Sequence, residues 1–317
     1  MSVKRGRVKE SRRRCGRGWG ILLLVALCLL LAVPFGRAEY TTFAVVSDTH
    51  LGAPNSAYPA FIQAMEAEKI TLIIHVGDAI NTPGSVSQWN RFFEITGPGR
   101  ILHLAPGNHD IQGKQSLRVY LTFFPTSYHA FAEGDTLFIL LNTELPGEEG
   151  MIAGEQLAWL TTELERPFRY KLVFLHEPLF PVIVGHGLDR HKEARDELHR
   201  LFVQRGVSLV VAGHDHIYQR RQRDGVTYVI AGAAGGYQEF FGKNGESFRY
   251  MVATRAGEGY SFVVKDMEGT VRDLFSVTDG PGRSAGKQPG QAAPAPGASA
   301  FGNYLPAGPY GTHSLAR

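Results

Sequence analysis

Six apolar runs of four to six residues recur along the first two thirds of the chain, and between several of them apolar side chains return every three or four residues. A short apolar run is typical of a strand buried on both faces, and the wider spacing is typical of a helix with one buried face. The pattern therefore predicts alternating strands and helices. The predicted strands are 43–46, 72–76, 101–105, 137–141, 172–175 and 207–212, and the predicted helices are 58–69, 155–165 and 193–205.

The pattern changes after Gly213, where apolar and polar residues alternate in four segments separated by turns such as Asp224-Gly225 and Glu268-Gly269. Such alternation is typical of antiparallel strands with one buried face, and we expect these strands to close a second sheet. Together the elements predict a single α/β domain, a sandwich of two mixed β-sheets flanked by helices. The four alternating segments are 226–230, 250–254, 260–264 and 270–276.

Polar motifs follow five of the six buried strands, at the point where each strand ends. The carboxyl ends of the strands in an open α/β sheet meet at one edge, which is where such sheets bind ligands. We therefore expect the five motifs to form one site. They are Asp48-Thr49-His50, Gly77-Asp78, Gly107-Asn108-His109-Asp110, His176-Glu177-Pro178 and Gly213-His214-Asp215-His216.

These motifs offer two aspartates, one asparagine amide and four histidines as metal ligands, with His109 in addition. Singly, each motif is an ordinary turn or helix cap, and Asp48 alone would be interpreted as a turn residue. All five at strand ends in one chain predict a site for two metal ions. Mixed oxygen and imidazole donors suit iron, manganese or zinc better than calcium or magnesium. No cysteine joins the set, which argues against a structural zinc finger.

Other histidines are expected to have structural positions. His75 and His103 lie inside apolar strands, where a histidine is usually a hydrogen-bonded core residue. His186, His191 and His199 follow the fourth motif. Contact with a substrate stays open for them, but we expect exposed loop or helix positions.

The order of the five motifs resembles that of the calcineurin-like metallophosphoesterase family, and the resemblance covers residues 43–217. It implies the fold of that family, with the dimetal site at the carboxyl ends of the strands, and a phosphate ester as the substrate. It also assigns the ligands of two metal ions. One ion would be bound by Asp48, His50 and His216, the other by Asn108, His176 and His214, and Asp78 would bridge the two.

The resemblance also implies roles for the remaining site residues. A water or hydroxide shared by the metals would be the nucleophile of an in-line attack. His109 would stabilise the phosphoryl oxygens or protonate the leaving oxygen, and Asp110 would hold the His109 ring in place. Purple acid phosphatases have a tyrosine ligand shortly after the Gly-Asp motif, and residues 77–81 contain none. The chain therefore looks more similar to the cyclic-nucleotide phosphodiesterase branch.

The charge of the chain is divided unevenly. The formal net charge is +3, but residues 1–38 hold nine of the 33 Lys and Arg residues and one of the 30 Asp and Glu residues. The remainder therefore has a net charge of −5, so the basic pI of about 8.8 belongs to the leader. This charge gives no indication of a nucleic-acid partner for the mature protein.

Residues 1–38 predict an export signal. A basic stretch precedes an apolar run over residues 21–33, and Gly36 and Ala38 are the small residues expected before a cleavage after Ala38. The run is shorter than the ~20 residues of a membrane span. The apolar residues beside it lengthen the segment, so a cleaved signal and an uncleaved anchor both stay open. Residues 11–14 resemble a twin-arginine signal.

Three segments are therefore predicted: the leader 1–38, a metallophosphoesterase domain 39–278 and a tail 279–317. The tail is rich in Gly, Pro, Ala and Ser, and such a segment buries too little apolar surface to offset its ordering entropy, so we expect it to be flexible. Both cysteines, Cys15 and Cys28, lie in the leader, so the domain would contain no disulfide.

The predicted function is metal-dependent hydrolysis of a phosphomonoester or phosphodiester outside the cytoplasm, in the periplasm, the extracellular space or at the outer face of a membrane. Three alternatives stay open. The first is an exported phosphodiesterase specific for cyclic nucleotides. The second is a membrane-anchored hydrolase of lipid or cell-wall phosphates. The third is a binding module whose metals support a recognition surface without catalysis. Contact with a membrane is expected only if the leader is uncleaved.

Overall fold

Two six-stranded mixed β-sheets form the centre of the computed structural model, which describes residues 42–236 and 248–281. The strands are β1 Thr42–Val46, β2 Leu72–His75, β3 Ile101–Leu104, β4 His129–Glu133, β5 Thr136–Leu140, β6 Tyr170–Phe174, β7 Leu209–Ala212, β8 Tyr218–Arg223, β9 Val226–Ala231, β10 Arg249–Ala256, β11 Gly259–Asp266 and β12 Val271–Val277. Sheet I has the strand order β12-β11-β10-β1-β2-β3, and sheet II has the order β4-β5-β6-β7-β9-β8. Strands β1, β2 and β3 are parallel, as are β5, β6, β7 and β9, and the other pairings are antiparallel.

Helices cover the outer face of each sheet. They are α1 Tyr58–Ala67, α2 Val86–Thr96, α3 Gly113–Phe123, α4 Gly154–Glu165 and α5 Lys192–Gln204, with a 3₁₀ helix at Leu188–His191. The first three pack with the outer side chains of sheet I, and α4 and α5 pack with those of sheet II. The predicted α/β sandwich of two mixed sheets flanked by helices is confirmed.

The alternation of side chains along the strands produces these layers. In β1, Phe43 and Val45 point between the sheets, where the ring of Phe43 lies 5.2 Å from that of Phe138 between centroids. Ala44 and Val46 point to the other face and pack with the helices over sheet I. Because successive side chains of a strand leave on opposite faces, one apolar run supplies two cores.

Besides the 3₁₀ helix, four of the described elements lie outside the predicted pattern: α2, α3, β4 and β8. The fully buried side chains of α3 are limited to Ser116 and Tyr120, and every residue of β4 is only half-buried. Strand β4 is therefore too short and too evenly half-buried to show an apolar repeat, whereas α3 does place Leu117, Tyr120 and Leu121 at helical spacing. Helix α2 buries Trp89 and Phe92 on one face, but this aromatic pair is too short a pattern to predict a helix.

The expectation that the strands after Gly213 close a separate second sheet is wrong. Strands β8 and β9 extend sheet II, where β9 lies parallel to β7. Strands β10, β11 and β12 extend sheet I, where β10 lies antiparallel to β1. Alternating side chains determine which face of a strand is buried and not which strand lies beside it, so the sequence pattern does not encode these pairings.

The folded body continues beyond the predicted boundary at Thr278. Asp279 accepts a hydrogen bond from Nε of Arg169 at 2.9 Å. Gly280 is buried so close to the carbonyl of Gly206 that a side chain there would collide with it. The predicted tail therefore begins at least three residues too early.

The leader over 1–38 and the predicted tail from residue 282 onward lie outside the described residues. The export signal, its cleavage and the flexibility of the tail stay predictions. In the part of the chain that the structure describes, none of the helices has the length and apolar character needed to cross a membrane.

Candidate metal centre

The strand-end motifs meet at one edge of the two sheets. The loops after β1 and β2 run side by side, because the amide of Asp48 donates to the carbonyl of Gly77 and the amide of His50 donates to that of Asp78, each at 2.9 Å. The loop after β7 joins them, since the amide of His214 donates to the Asp48 carboxylate at 3.1 Å. Backbone contacts between the ends of strands from both sheets therefore build the site.

Asp48, His50 and His216 form the first group of ligand side chains. Nε2 of His216 lies 3.4 Å from Oδ1 of Asp48 and 3.2 Å from Nε2 of His50. The three ligand atoms all lie within 4.8 Å of one another. The structure thus brings together the three residues that were assigned to one metal ion.

Asn108, His176 and His214 form the second group. Nε2 of His176 lies 3.2 Å from Oδ1 of Asn108 and 3.1 Å from Nδ1 of His214. Nδ1 of His176 donates to the carbonyl of Val76 at 2.9 Å, which fixes the ring and leaves Nε2 facing the site. The three residues assigned to the other ion are therefore also together.

Asp78 lies between the two groups. Its Oδ2 is 3.4 Å from Nε2 of His176 and 3.6 Å from Nε2 of His50, so one oxygen reaches a histidine of each group. Its Oδ1 accepts a hydrogen bond from the amide of His109 at 2.8 Å. This is the placement expected of a carboxylate that bridges two ions.

The backbone is strained where these ligands lie. In residues 42–236 and 248–281, seven residues other than glycine have a positive φ, and five of them are predicted metal ligands. Residues other than glycine avoid a positive φ unless the surrounding structure holds them there, and such strained residues are concentrated at functional sites. The five are Asp48 (φ 51°), His50 (φ 43°), Asp78 (φ 55°), His214 (φ 70°) and His216 (φ 56°).

Two glycines allow the ligands to approach one another. Gly77 has a φ of 94°, and a side chain there would collide with the ring of His176. A side chain at Gly107 would collide with Asp78. The glycines of the Gly-Asp and Gly-Asn motifs are therefore required by the packing of the ligands themselves.

The protonation states of the site suit a cation. Burial opposes the ionisation of Asp48, but the neighbouring His216 and His176 together outweigh it, and the pKa of Asp48 falls to about 2. Burial lowers the pKa of His50 to about 4, although Asp78 lies beside it. At neutral pH the site therefore contains ionised carboxylates and a neutral imidazole, which are the forms that bind metals.

His176 carries the compensating positive charge. Burial alone would lower its pKa, but the carboxylate of Asp78 outweighs burial and holds the pKa well above its ordinary value. A buried carboxylate requires a positive partner, which metal ions held by these ligands would supply. The donor types and the local charge both fit a pair of transition-metal ions.

His109 lies at the border of both groups. Its Nδ1 is 2.7 Å from the carbonyl oxygen of Asn81, and its ring meets that of His50 edge-on with 4.6 Å between centroids. A carbonyl oxygen can only accept, so the proton is on Nδ1 and Nε2 is left for a substrate. The backbone at Asn81 therefore orients the ring of His109.

Asp110 does not hold the ring of His109, so the role predicted for Asp110 is wrong. Its Oδ1 accepts hydrogen bonds from the amides of Ala79 and Ile80 at 3.0 and 3.2 Å, and its Oδ2 accepts one from the amide of Gly107 at 2.9 Å. The side chain is fully buried. It ties the loop after β2 to the loop after β3, and both oxygens are turned away from His109 because these amides engage them.

His186 lies beside the centre, on a loop as expected, with its side chain 40% exposed. Its ring stacks on that of His214, with 4.1 Å between centroids and an angle of 18° between planes. Its Nδ1 is 2.8 Å from Oδ1 of the buried Asp215. The signal in the sequence is Asp215 itself, because an acid between two ligand histidines needs a partner when it is buried.

The other histidines divide between the two expectations. His75 is confirmed as a buried, hydrogen-bonded core residue, and His103 is half-buried between the edges of the sheets. His191 is half-buried. The expectation of an exposed His199 is wrong, because α5 packs this side of the helix on sheet II and Nδ1 of His199 is 2.8 Å from the hydroxyl of Tyr228.

The fold and the converging ligand side chains define a metallophosphoesterase. Residues 41–218, which are more than half of the chain, match the family model described as calcineurin-like phosphoesterase. The chain belongs to this family.

Curated relatives come from several branches of the family. The chain is 28% identical over 213 residues to phosphoenolpyruvate phosphatase of Allium cepa, which covers 59% of this chain and 43% of that protein. It is 31% identical over 128 residues to serine/threonine-protein phosphatase CPPED1 of Bos taurus, which covers 36% of this chain and 41% of that one. It is 25% identical over 179 residues to a probable cyclic nucleotide phosphodiesterase of Psychrobacter arcticus, which covers 52% of this chain and 64% of that one. The chain spans less than two thirds of each relative, and its branch stays a prediction.

Among solved structures, a purple acid phosphatase from yellow lupin, Lupinus luteus, has the same fold. The TM-score is 0.61, the sequence identity is 18%, and the match covers 77% of this chain and 54% of that one. The likeness therefore concerns the arrangement of the sheets and helices.

Proposed function

We propose that this chain is a dimetal phosphoesterase that hydrolyses phosphomonoesters or phosphodiesters outside the cytoplasm. The observation that carries the proposal is the position of Asp78, whose Oδ2 is 3.4 Å from His176 and 3.6 Å from His50. One oxygen between two groups of ligands supports a pair of ions over a single ion. Such ions, when bound, supply Lewis acidity toward the phosphoryl oxygens and lower the pKa of water.

The residues of the chain supply orientation and proton transfer. Because Nδ1 of His109 is bonded to the carbonyl of Asn81 at 2.7 Å, Nε2 is the nitrogen that faces a substrate. With one proton held on Nδ1 by the Asn81 carbonyl, the general acid is the imidazolium form of His109, which carries a second proton on Nε2. When the bond between phosphorus and the leaving oxygen breaks, this second proton passes to that oxygen and leaves the neutral ring. His109 therefore acts as a general acid whose orientation is set by the backbone.

The presence of the complete set of ligand side chains supports an enzyme over a non-catalytic binding module. All seven predicted ligands lie at one edge of the sheets, and His109 lies within 4.8 Å of the ligand atoms of His50 and Asp78. A module that uses metals only to support a surface has no need of an oriented imidazole beside them.

The proposed location rests on the leader. The basic stretch, the apolar run and the small residues before Glu39 support export. Mass spectrometry of the exported protein tests this: a chain that begins at Glu39 would support a cleaved signal. A chain that keeps residues 21–33 would favour the membrane-anchored hydrolase of lipid or cell-wall phosphates.

Hydrolysis of p-nitrophenyl phosphate and bis-p-nitrophenyl phosphate by manganese-loaded protein tests the proposed activity, with chelated protein as the control. We expect turnover that the chelator abolishes, and the ratio of the two rates assigns monoester or diester preference. The relative named as a cyclic nucleotide phosphodiesterase supports cyclic nucleotides as a second candidate substrate, to be assayed in parallel. Turnover of none of these esters by metal-loaded protein would favour the binding module.

A further inference from the structure

A tight turn at residues 182–186 lies at the rim of the candidate centre. The amide of His186 donates to the carbonyl of Ile183 at 3.0 Å, and Gly185 has a φ of 81°. This hydrogen bond closes a four-residue turn from Ile183 to His186, in which Gly185 is the third residue. A positive φ at the third position is the mark of a type II β-turn and favours glycine there. The last residue of the turn, His186, stacks on the predicted ligand His214 at 4.1 Å. The turn is therefore in direct contact with the ligand set.

One buried carboxylate holds both ends of this turn. Oδ2 of Asp215 accepts a hydrogen bond from the amide of Val182 at 2.6 Å, and Oδ1 lies 2.8 Å from Nδ1 of His186. Asp215 is only 4% exposed and stands between His214 and His216 in the chain. A carboxylate with both oxygens engaged fixes the orientation of the turn relative to the ligands.

The turn presents an apolar side chain to solvent. Val184 occupies its corner and is 89% exposed, more than any other large hydrophobic residue in the part of the chain that the structure describes. A single exposed valine is ordinary on a protein surface. Here, however, the backbone is held in place, and two Cα–Cα steps of about 3.8 Å each separate Val184 from His186. An apolar group fixed at this distance is preorganised to contact an apolar part of a substrate.

We propose that the turn 182–186 forms one wall of the substrate site, with Val184 in contact with an aryl or alkyl leaving group and Asp215 as the positioning residue that holds the turn. The inference rests on the proposed function, because it concerns the ester whose phosphate the centre binds. Val184 offers no hydrogen bond, and Val182 and Ile183 beside it are apolar as well. This wall therefore favours esters with apolar leaving groups over those with polyol leaving groups.

Binding of phenylphosphonate and methylphosphonate to the metal-loaded full chain, measured by calorimetry, tests the contact without turnover. We expect Val184→Ser to raise the Kd of phenylphosphonate roughly three- to tenfold and to leave that of methylphosphonate unchanged. The matched control is Val271→Ser, because Val271 is 55% exposed on the edge strand β12, and it should change neither Kd. An unchanged ratio of the two Kd values in Val184→Ser would overturn the proposal.

Two further variants test the positioning role. Asp215→Ala removes both hydrogen bonds, and His186→Phe keeps an aromatic ring but removes its bond to Asp215. We expect both to lower the preference for phenylphosphonate while the bound metal, counted by mass spectrometry, stays at the wild-type level. Should Asp215→Ala lose metal or fail to fold, His186→Phe decides the matter, because it leaves Asp215 in place. A wild-type ratio in metal-loaded His186→Phe would contradict the positioning role.

Hydrolysis of phenyl phosphate and glycerol 2-phosphate separates this inference from the proposed function. Absence of chelator-sensitive turnover, with the phosphonate preference intact and sensitive to Val184→Ser, would defeat the proposed function alone. Chelator-sensitive turnover of both esters would support the proposed function. If the ratio of the phenylphosphonate and methylphosphonate Kd values were then equal in the wild type and Val184→Ser, only the inference about the turn would be defeated.

Discussion

His109 depends on its neighbours in a way that its place in the sequence does not indicate. Its partner is the backbone carbonyl of Asn81 at 2.7 Å, and the acid that follows it in the chain, Asp110, is turned toward three amides. A backbone acceptor cannot be removed by substitution, so the orientation of His109 is a property of the loop after β2. Asp110 bonds that loop to the loop after β3 through three backbone amides.

We expect His109→Ala to keep its metal ions, because all the ligands of both groups are still present. Turnover should fall roughly 100- to 10,000-fold, because the variant lacks the proposed general acid. The measurement is kcat for p-nitrophenyl phosphate together with metal content. His191→Ala, which removes a half-buried histidine outside the ligand groups, is the control. Equal turnover in His109→Ala and wild type would defeat the role given to His109.

We expect Asp110→Ala to lower the free energy of unfolding by about 2–4 kcal/mol, because three amides in a buried loop lose their acceptor. Urea unfolding of the metal-free protein measures this loss. Asp196→Ala provides the comparison, because that carboxylate is 45% exposed and accepts one hydrogen bond from its neighbour Arg195. A loss below about 0.5 kcal/mol, the range of ordinary surface substitutions, would contradict the structural role.

At the scale of elements, two histidines join the edges of the sheets. His103 of β3 and His129 of β4 are 2.8 Å apart between ring nitrogens, and His103 stacks on Phe131 at 3.8 Å. Burial lowers the pKa of His129 from 6.5 to about 4, and burial and then His129 hold the pKa of His103 well below its ordinary value. The folded state therefore binds fewer protons than the unfolded state below pH 6.5. The two histidines therefore lower the free energy of unfolding as the pH falls from 6.5 toward 4, and they leave it unchanged above pH 6.5.

Between pH 7 and pH 5, we expect the unfolding free energy of the wild type to fall by about 1–2 kcal/mol more than that of His129→Gln. The variant keeps an amide that can bond to His103 but does not titrate. Denaturant unfolding of metal-free protein at the two pH values gives the comparison, and His191→Gln should keep the wild-type slope. Equal slopes in wild type and His129→Gln would contradict this account of the β3–β4 edge.

The elements that the sequence predicted are those with strong apolar repeats. The runs that became β1, β2, β5, β6 and β7 are buried throughout. The motifs after β1, β2, β3, β6 and β7 lie at one edge as expected. Helix α3 was missed although Leu117, Tyr120 and Leu121 stand at helical spacing, and β4 was missed because it is short and half-buried throughout. The strand ends indicated where the site lies, and the resemblance to the family assigned the ligands within it. The position of His186 follows from neither, because its approach to His214 depends on a turn that Asp215 holds from a distant part of the chain.

At the scale of the whole molecule, each sheet combines early and late parts of the chain. Strand β1 lies between β2 and β10, and β9 lies beside β7. The last described residues complete this arrangement, since Asp279 is paired with Arg169 and Gly280 packs on Gly206. The late segments therefore belong to the same folding unit as the motifs that precede them.

A chain that ends at Thr278 should be less stable than one that ends at Pro281 by about 1 kcal/mol, because the shorter chain lacks the Asp279 ion pair and the contact of Gly280. Thermal and urea unfolding of the two chains, with identical amino termini, measure the difference. Asp279→Ala in the longer chain separates the ion pair from the packing. Identical stability of the two chains would place the end of the body at Thr278.

The central claim is that Asp78 bridges two metal ions, and the direct measurement is the number of ions bound per chain. Protein loaded with manganese and freed of excess metal would be analysed by plasma mass spectrometry, for the wild type and for Asp78→Asn. The position of the Asp78 carboxylate between His176 and His50 predicts two ions per wild-type chain and fewer in the variant. One ion or none in the wild type, or an equal count in Asp78→Asn, would contradict the account.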